Sequence, residues 1–223
     1  MPREVTLVDA HLGNLDSVER ALIQVGASVV ISGDPNQVAT SRMVVFPGQG
    51  AFSDHTDALV DGAMGAALRM VIERGDPFLG ICMGMQLLFE SSDEHGGHPG
   101  LKVLKGKCAR FPEDTWIHET VAPPPEDAEG EPAQAAPELV RRLKIPHVGW
   151  NQVEPTGEHY YFAHSYYARA ENPEDVMWTC QYGPVEFPAA VRRGNVFGCQ
   201  FHPEKSQWAG LRFLRSFVLG GRS

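Results

Sequence analysis

The sequence predicts an α/β fold, a mostly parallel sheet flanked by helices. Three observations carry that expectation. Short apolar runs alternate with segments of helical period through the first half of the chain, as repeated βα units require. Residues suited to capping and ending helices stand at the borders of those segments. At 223 residues and 43% hydrophobic content, the chain is also long enough to bury a substantial single core.

Val5 to Val8 reads as a buried strand. Leu15, Val18, Leu22 and Val25 then recur at helical spacing, with Asn14 or Asp16 placed to cap the start and Gly26 to end it. Ser28 to Ile31 and Met43 to Phe46 are the next strand candidates, Leu59 to Arg74 contains a helix ended by Gly75, and Pro77 to Ile81 leads into another strand. The second half is richer in aromatics and turns. Its strand candidates are Leu101 to Leu104, Tyr160 to Ala163, Val176 to Gln181, Phe187 to Arg192 and Val196 to Phe201. Trp208, Leu211, Leu214 and Phe217 recur every third residue after a cap at Ser206, predicting a C-terminal helix. Residues 1–219 are expected to form one domain, and 220–223 a flexible tail.

Residues 120–138 depart from this pattern. They contain Pro123, Pro124, Pro125, Pro132 and Pro137, with Glu126, Asp127, Glu129, Glu131 and Glu138 and no lysine or arginine. Such a stretch cannot bury enough apolar surface to offset its ordering entropy, so it is expected to be a surface insertion. It also carries five of the acidic groups behind the net charge of −9. That charge disfavours a nonspecific grip on nucleic acid or an anionic membrane.

Cys82, Cys108, Cys180 and Cys199 are scattered, without the spacing of a zinc site or a redox dithiol. No signal-peptide core opens the chain, and no run reaches the roughly 18–20 apolar residues that cross a bilayer. A reduced, cytoplasmic protein is the expectation.

Three motifs can carry chemistry. In Gly80-Ile81-Cys82-Met83-Gly84 an apolar strand meets a cysteine with a glycine two residues away on each side, followed by a helical stretch. This is the pattern of a nucleophile elbow, where a tight strand-to-helix turn leaves no room for neighbouring side chains. Read alone, Cys82 is equally well a small buried hydrophobe. In Phe201-His202-Pro203-Glu204, His202 can take the thiol proton and Glu204 can orient the imidazole. A lone strand-end histidine making turn bonds is the plainer alternative. Pro47-Gly48-Gln49-Gly50 follows a predicted strand, so its backbone N–H groups can face a developing oxyanion on the same rim; by itself it is an ordinary glycine turn. No lysine follows as in a phosphate-binding loop.

Together these motifs resemble the class I, or triad, glutamine amidotransferases. Gly13-Asn14-Leu15, Pro146 to Asn151, Tyr161 to Tyr166 and Gln200 to Ser206 extend the likeness along nearly the whole chain outside the insertion. Within that family they look like the glutaminase subunits of imidazole glycerol phosphate synthase. The resemblance implies a flavodoxin-like three-layer fold and a Cys82-His202-Glu204 triad acting on L-glutamine. It implies oxyanion donors at Gly48, Gln49 and Gly50, and glutamine contacts at Gln86, Glu94, Ser165 and Tyr166. It further implies a (β/α)8 cyclase subunit as heterodimeric partner, met at or near Asn14, Trp150, Asn151 and Lys205, with no cofactor and no metal. Without the family match, Trp150 reads as core packing and Lys205 as a solvated charge. Ala10-His11-Leu12 departs from the usual small, glycine-containing turn, and the insertion is longer than is typical. The glutaminase of another synthase, for anthranilate, guanylate, pyridoxal phosphate or carbamoyl phosphate, would share the triad. Residues 146–151 and 164–166 distinguish these. A cysteine peptidase and a catalytically inert binding subunit are the readings from other classes.

Overall fold

The computed structural model describes residues 2–11, 15–48, 50, 59–113, 116–120 and 138–220. The first half runs β1 (Arg3–Val8), α1 (Leu15–Gln24), β2 (Ala27–Ser32), α2 (Pro35–Thr40), β3 (Val44–Gly48), α3 (Ala63–Glu73), β4 (Phe78–Cys82) and α4 (Met83–Gln86). Successive residues of a strand face opposite ways, so these apolar strands feed two separate cores. Val5, Leu7, Val45, Leu79 and Ile81 pack with Val18 and Leu22 of α1. Val8, Val44, Phe46 and Phe78 pack with Val38 of α2, Leu68 and Val71 of α3 and Met83 and Met85 of α4. The result is three layers, helix on sheet on helix.

The second half supplies β5 (Ser91–Ser92), β6 (His98–Pro99), β7 (Gly106–Arg110), β8 (Trp116–Thr120), β9 (Glu138–Arg142), β10 (His147–Glu154), β11 (Glu158–His164), β12 (Tyr166–Ala170), β13 (Val176–Tyr182), β14 (Val185–Arg193), β15 (Val196–Cys199) and α5 (Gln207–Leu219). The main sheet has nine strands in the order β11-β10-β13-β14-β15-β4-β3-β1-β2. It is parallel from β15 to β2 and antiparallel from β15 to β11. Parallel pairing therefore belongs to the βα half of the sequence together with β15. The aromatic, turn-rich half forms the antiparallel flank, and β12, β7, β5 and β6 make a smaller sheet.

Several expectations shift in detail. Leu101 to Leu104 is not a strand: its N–H groups donate to the carbonyls of Leu87, Leu88 and Phe89, wrapping Leu101 and Leu104 over the end of α4. In α5 the every-third-residue stripe holds for Leu214 and Phe217, which are buried, but not for Trp208, which is 73% exposed. Ala209, Gly210, Phe213 and Val218 are buried beside them, the face that a period of 3.6 selects. Ser206 precedes α5 without a side-chain cap bond. Its hydroxyl donates to His202 O at 2.6 Å and accepts from Tyr161 N at 3.0 Å. The proline-rich insertion falls on residues outside the description between 121 and 137, while Thr120 and Glu138 at its ends pair as the last rung of the β8–β9 hairpin. Of the expected tail, residues 221–223 lie outside the description, and Gly220 closes α5 in the left-handed conformation.

Helix α5 lies directly on the turn that follows β15. A Cβ on Gly210 would sit 1.9 Å from the carbonyl oxygen of Pro203, so only glycine permits this approach. Gly210→Ala is expected to push α5 off that turn and lower the unfolding free energy by about 1–3 kcal/mol. A urea titration reads the loss directly, and an unchanged midpoint would contradict the close packing.

Candidate active site

Strand β4 ends at Cys82, whose backbone has φ 54° and ψ −108°. For a residue with a side chain that conformation costs roughly 1–3 kcal/mol, and it persists only where the surroundings enforce it. The enforcement comes from the flanking glycines. A Cβ on Gly80 would lie 2.3 Å from Gly84 O, and one on Gly84 would lie 2.1 Å from Phe46 O. The chain turns sharply into α4 and leaves the Cys82 thiol at the carboxyl ends of the parallel strands, where ligands of open α/β sheets collect. Gly48 stands opposite Cys82 in β3, and Cys199 stands opposite Ile81 in β15.

Beyond β15 the chain delivers His202 to the same rim. The turn is pinned by His202 N donating to Tyr161 O at 2.8 Å and by the Ser206 bonds described above. His202 Nδ1 lies 2.8 Å from Glu204 Oε1, with both side chains almost wholly excluded from solvent. A carboxylate only accepts, so Nδ1 carries the proton and Nε2 is left for the Cys82 sulfur, with which the ring is also hydrogen-bonded. Burial opposes a charge on His202, but the bonds to Cys82 and Glu204 outweigh it, and the imidazole is pushed up to about 10. Stabilised imidazolium beside a thiol is the arrangement that promotes ion-pair formation.

Cys82, Gln86, Glu94, Ser165, Tyr166, His202, Lys205 and Gly50 line one cavity of about 380 Å³, within the range of small-molecule sites. Gln86 donates both amide hydrogens to protein, to Tyr166 O at 2.8 Å and to Gln200 Oε1 at 2.9 Å. What it can offer a ligand is therefore its carbonyl oxygen. Glu94 is buried at the start of a short 3₁₀ turn, Glu94–Gly96. Behind Tyr166 runs a directional chain of hydrogen bonds. His164 Nδ1 donates to Tyr166 O at 2.8 Å, His147 Nδ1 donates to His164 Nε2 at 3.1 Å, and Asn151 Nδ2 donates to His147 Nε2 at 3.4 Å. The carbonyl at the end of the chain admits only this order of donors, so both histidines are neutral. Burial lowers His147 to about 4; burial together with the neighbouring His147 lowers His164 to about 3.

Of the other expected site residues, Gln49 and Asn14 lie outside the described residues, and Gly48 is a buried strand-end residue. Trp150 and Lys205 are exposed and each approaches the Tyr161 ring, the indole edge-on at 6.0 Å and the ammonium 5.8 Å from the ring centroid. Asn151 is directed inward and donates to Gln181 O as well as to His147. Sequence reasoning gave no role to Gln200, His147 or His164. Gln200 carried a signal, standing two residues before His202 at the end of a predicted strand; His147 and His164 lie in the distinguishing stretches 146–151 and 164–166, but their pairing was not legible, since they meet only across β10 and β11.

A family model described as "Glutamine amidotransferase class-I" matches residues 6–219. The chain is 42% identical to the imidazole glycerol phosphate synthase subunit HisH of Salinibacter ruber, covering 96% of this chain and 93% of that one. It is 39% identical to the subunit of the same name from Rhodopirellula baltica, covering 96% of each. Among solved structures, one titled as a crystal structure of glutamine amidotransferase superposes with a TM-score of 0.67 at 18% identity, covering 96% of this chain and 98% of that one. The structure of PurLQS from Thermotoga maritima gives a TM-score of 0.60 at 18% identity over 98% of each chain. These two similarities speak to the fold.

The neutral histidine pair sets a pH dependence. Both side chains ionise far more readily in the unfolded chain, near 6.5, than in the fold, so the unfolded state gains protons first as the pH falls. Stability is expected to be unaffected by the pair above pH 6.5 and to drop by on the order of a few kcal/mol as the pH falls from 6.5 through the folded-state values of about 4 and about 3. Urea unfolding across that window, compared with the His147→Gln/His164→Gln double variant, should show a flatter dependence in the variant. Equal slopes would contradict a buried neutral pair.

Proposed function

The chain belongs to the class-I glutamine amidotransferases, alongside the HisH subunits of imidazole glycerol phosphate synthase, and on that premise we propose that it is the glutaminase subunit of such a synthase. It hydrolyses L-glutamine to L-glutamate and passes the ammonia to a (β/α)8 cyclase subunit. The observation that carries this reading is the buried Cys82, hydrogen-bonded to a His202 that Glu204 orients, in one small-molecule cavity with Gln86, Glu94, Ser165 and Tyr166. Relatives named for a single synthase, 36–42% identical over 96% of the chain, favour it over the glutaminases of other synthases.

In the proposed reaction the Cys82 thiolate adds to the side-chain amide carbon of glutamine, and the carbonyl electrons move onto oxygen. As the carbonyl re-forms, the C–N bond breaks and His202 protonates the departing ammonia, leaving a γ-glutamyl thioester. His202, now neutral, takes a proton from water, whose oxygen adds to the thioester; the C–S bond breaks and the sulfur leaves as thiolate. Glu204 holds the imidazole in the required tautomer throughout. Backbone N–H groups of the Gly48-Gln49-Gly50 segment are the proposed oxyanion donors, a preorganised arrangement whose removal in acyl transfer costs two to three orders of magnitude. Gln86, through its carbonyl oxygen, and Glu94, Ser165 and Tyr166 are the proposed glutamine contacts.

The cyclase combines the ammonia with a phosphoribulosyl formimino carboxamide nucleotide to give imidazole glycerol phosphate and an aminoimidazole carboxamide ribonucleotide, in histidine biosynthesis. A closed path has a physical purpose, because ammonia released to water is protonated and loses its nucleophilicity. Trp150 and Lys205, with Asn14 and Asn151, are the proposed partner-facing residues. Trp150 and the exposed Trp208 line one shallow hollow, and solvent-facing indoles are characteristic of interface anchors. Four free thiols and the absence of a long apolar helix among the described residues support a cytoplasmic setting.

Two outcomes test the reading. Ammonia release from glutamine by the chain alone is expected to be slow and to rise strongly when the cyclase and its nucleotide are added; equal rates with and without partner would contradict activation of the glutaminase by its partner. Cys82→Ala should lower ammonia release by at least roughly a thousandfold while the two subunits still co-elute on size exclusion. Retained activity would overturn the nucleophile assignment.

A further inference from the structure

The parallel register that sets Cys199 opposite Ile81 brings the next residue, Gln200, alongside Cys82. Its side chain is completely buried, and its Nε2 lies 3.6 Å from Cys82 Sγ. The orientation of the amide is determined from its other end. Gln200 Oε1 accepts from Gln86 Nε2 at 2.9 Å, and that same nitrogen donates its second hydrogen to Tyr166 O at 2.8 Å. Tyr166 O also receives His164 Nδ1 at 2.8 Å, which occupies its second lone pair. Flipping the Gln200 amide would set its NH₂ group against that of Gln86 and its carbonyl oxygen against the sulfur. Only one orientation satisfies both ends, and it aims an N–H at Cys82.

We propose that Gln200 is a further catalytic residue of the glutaminase reaction, whose amide N–H holds the Cys82 sulfur as a thiolate and keeps it directed into the cavity. This rests on Cys82 being the nucleophile. The sulfur lies at the cavity wall, where fixed donors orient it and share its charge. His202 is one donor, but it gives up its proton when ammonia departs and regains one when water attacks. Gln200 has no titratable proton and presents the same N–H to the attacking thiolate and to the thiolate that leaves as the C–S bond breaks. Hydrogen bonds to an ionised acceptor are the strong ones, which makes a neutral amide effective in this position.

Alkylation of Cys82 by iodoacetamide, followed by peptide mass spectrometry between pH 5 and 10, separates this role from packing. The buried Cys108 and Cys180 serve as internal references. The titratable groups facing the sulfur are His202 and Glu204 from the turn after β15, Cys199 from β15, and Glu94, His164, Tyr166 and Lys205 from the cavity wall; all are retained in the variants. Gln200→Met, close in length but without a donor, is expected to raise the midpoint of the alkylation profile by about one unit and slow alkylation at neutral pH about tenfold. In the complex, kcat for glutamine hydrolysis should fall by roughly a hundredfold, with a smaller change in KM. Gln200→Glu should raise the midpoint further, since a carboxylate repels the thiolate. Packing loss alone does not produce that order. An unshifted midpoint in a Gln200→Met protein with an unchanged melting temperature would overturn the proposal. Should that variant fail to fold, Gln86→Met, which frees the Gln200 amide to rotate, must give a smaller upward shift, and no shift there overturns it equally. Normal ammonia release with an unshifted profile sinks only the role of Gln200. Absence of ammonia release by the unsubstituted complex sinks the glutaminase reading itself.

Discussion

Parallel pairing of β3, β4 and β15 is the constraint on which the site depends. Strands that run the same way end at the same rim, so Gly48, Cys82 and the Gln200–His202 segment arrive side by side although up to 154 residues separate them. The two apolar layers hold that register. Each of the three strands is covered on both faces, and a slip of one residue would turn buried side chains toward the wrong layer. The strained backbone of Cys82 is affordable only inside this clamp, where Phe46 on one side and Gly84 on the other leave the turn no alternative path.

The same burial gives three histidines near the cavity opposite charge states. His202 has a carboxylate and a thiol within hydrogen-bonding reach, and both favour the imidazolium. His147 and His164 have each other, an amide and a carbonyl; the Tyr166 carbonyl favours a charge on His164, but burial and the neighbouring His147 outweigh it, and both stay neutral. The neutral pair then acts as a rigid linkage from Asn151 on β10 to the carbonyl of Tyr166. Through Gln86 and Gln200 that linkage continues to the sulfur. A buried chain of hydrogen bonds of this kind contributes order because few of its members can rotate.

Strand β10 inverts the usual rule for strand faces. His147 is buried, whereas Val148 is 57% and Trp150 45% exposed. Large apolar side chains in water and a polar one in the core make sense where the outer face is to be covered and the inner face carries a hydrogen-bond relay. That inversion also hides the strand from a search for apolar alternation. The stripe read into α5 holds only in part: Leu214 and Phe217 are core residues, but Trp208 satisfies a period of three and points to solvent, because the core face follows 3.6. Where the chain packs conventionally, as in β1, β2, β3, β4, α1 and α3, pattern and structure agree to within a few residues.

Local sequence determined the βα units, the glycine-flanked turn at Cys82 and the adjacency of His202 and Glu204, because each rests on interactions within a few residues: alternation, capping, steric room at a turn, a histidine two positions from a carboxylate. Tertiary structure alone decided that the sheet becomes antiparallel beyond β15, that Leu101 to Leu104 folds over α4 instead of forming a strand, that Ser206 ties β11 to the His202 turn, and that Gln200 reaches the sulfur. Those outcomes depend on register between strands far apart in the chain and on which donors find acceptors once water is excluded. Neither quantity is a property of any short stretch of residues.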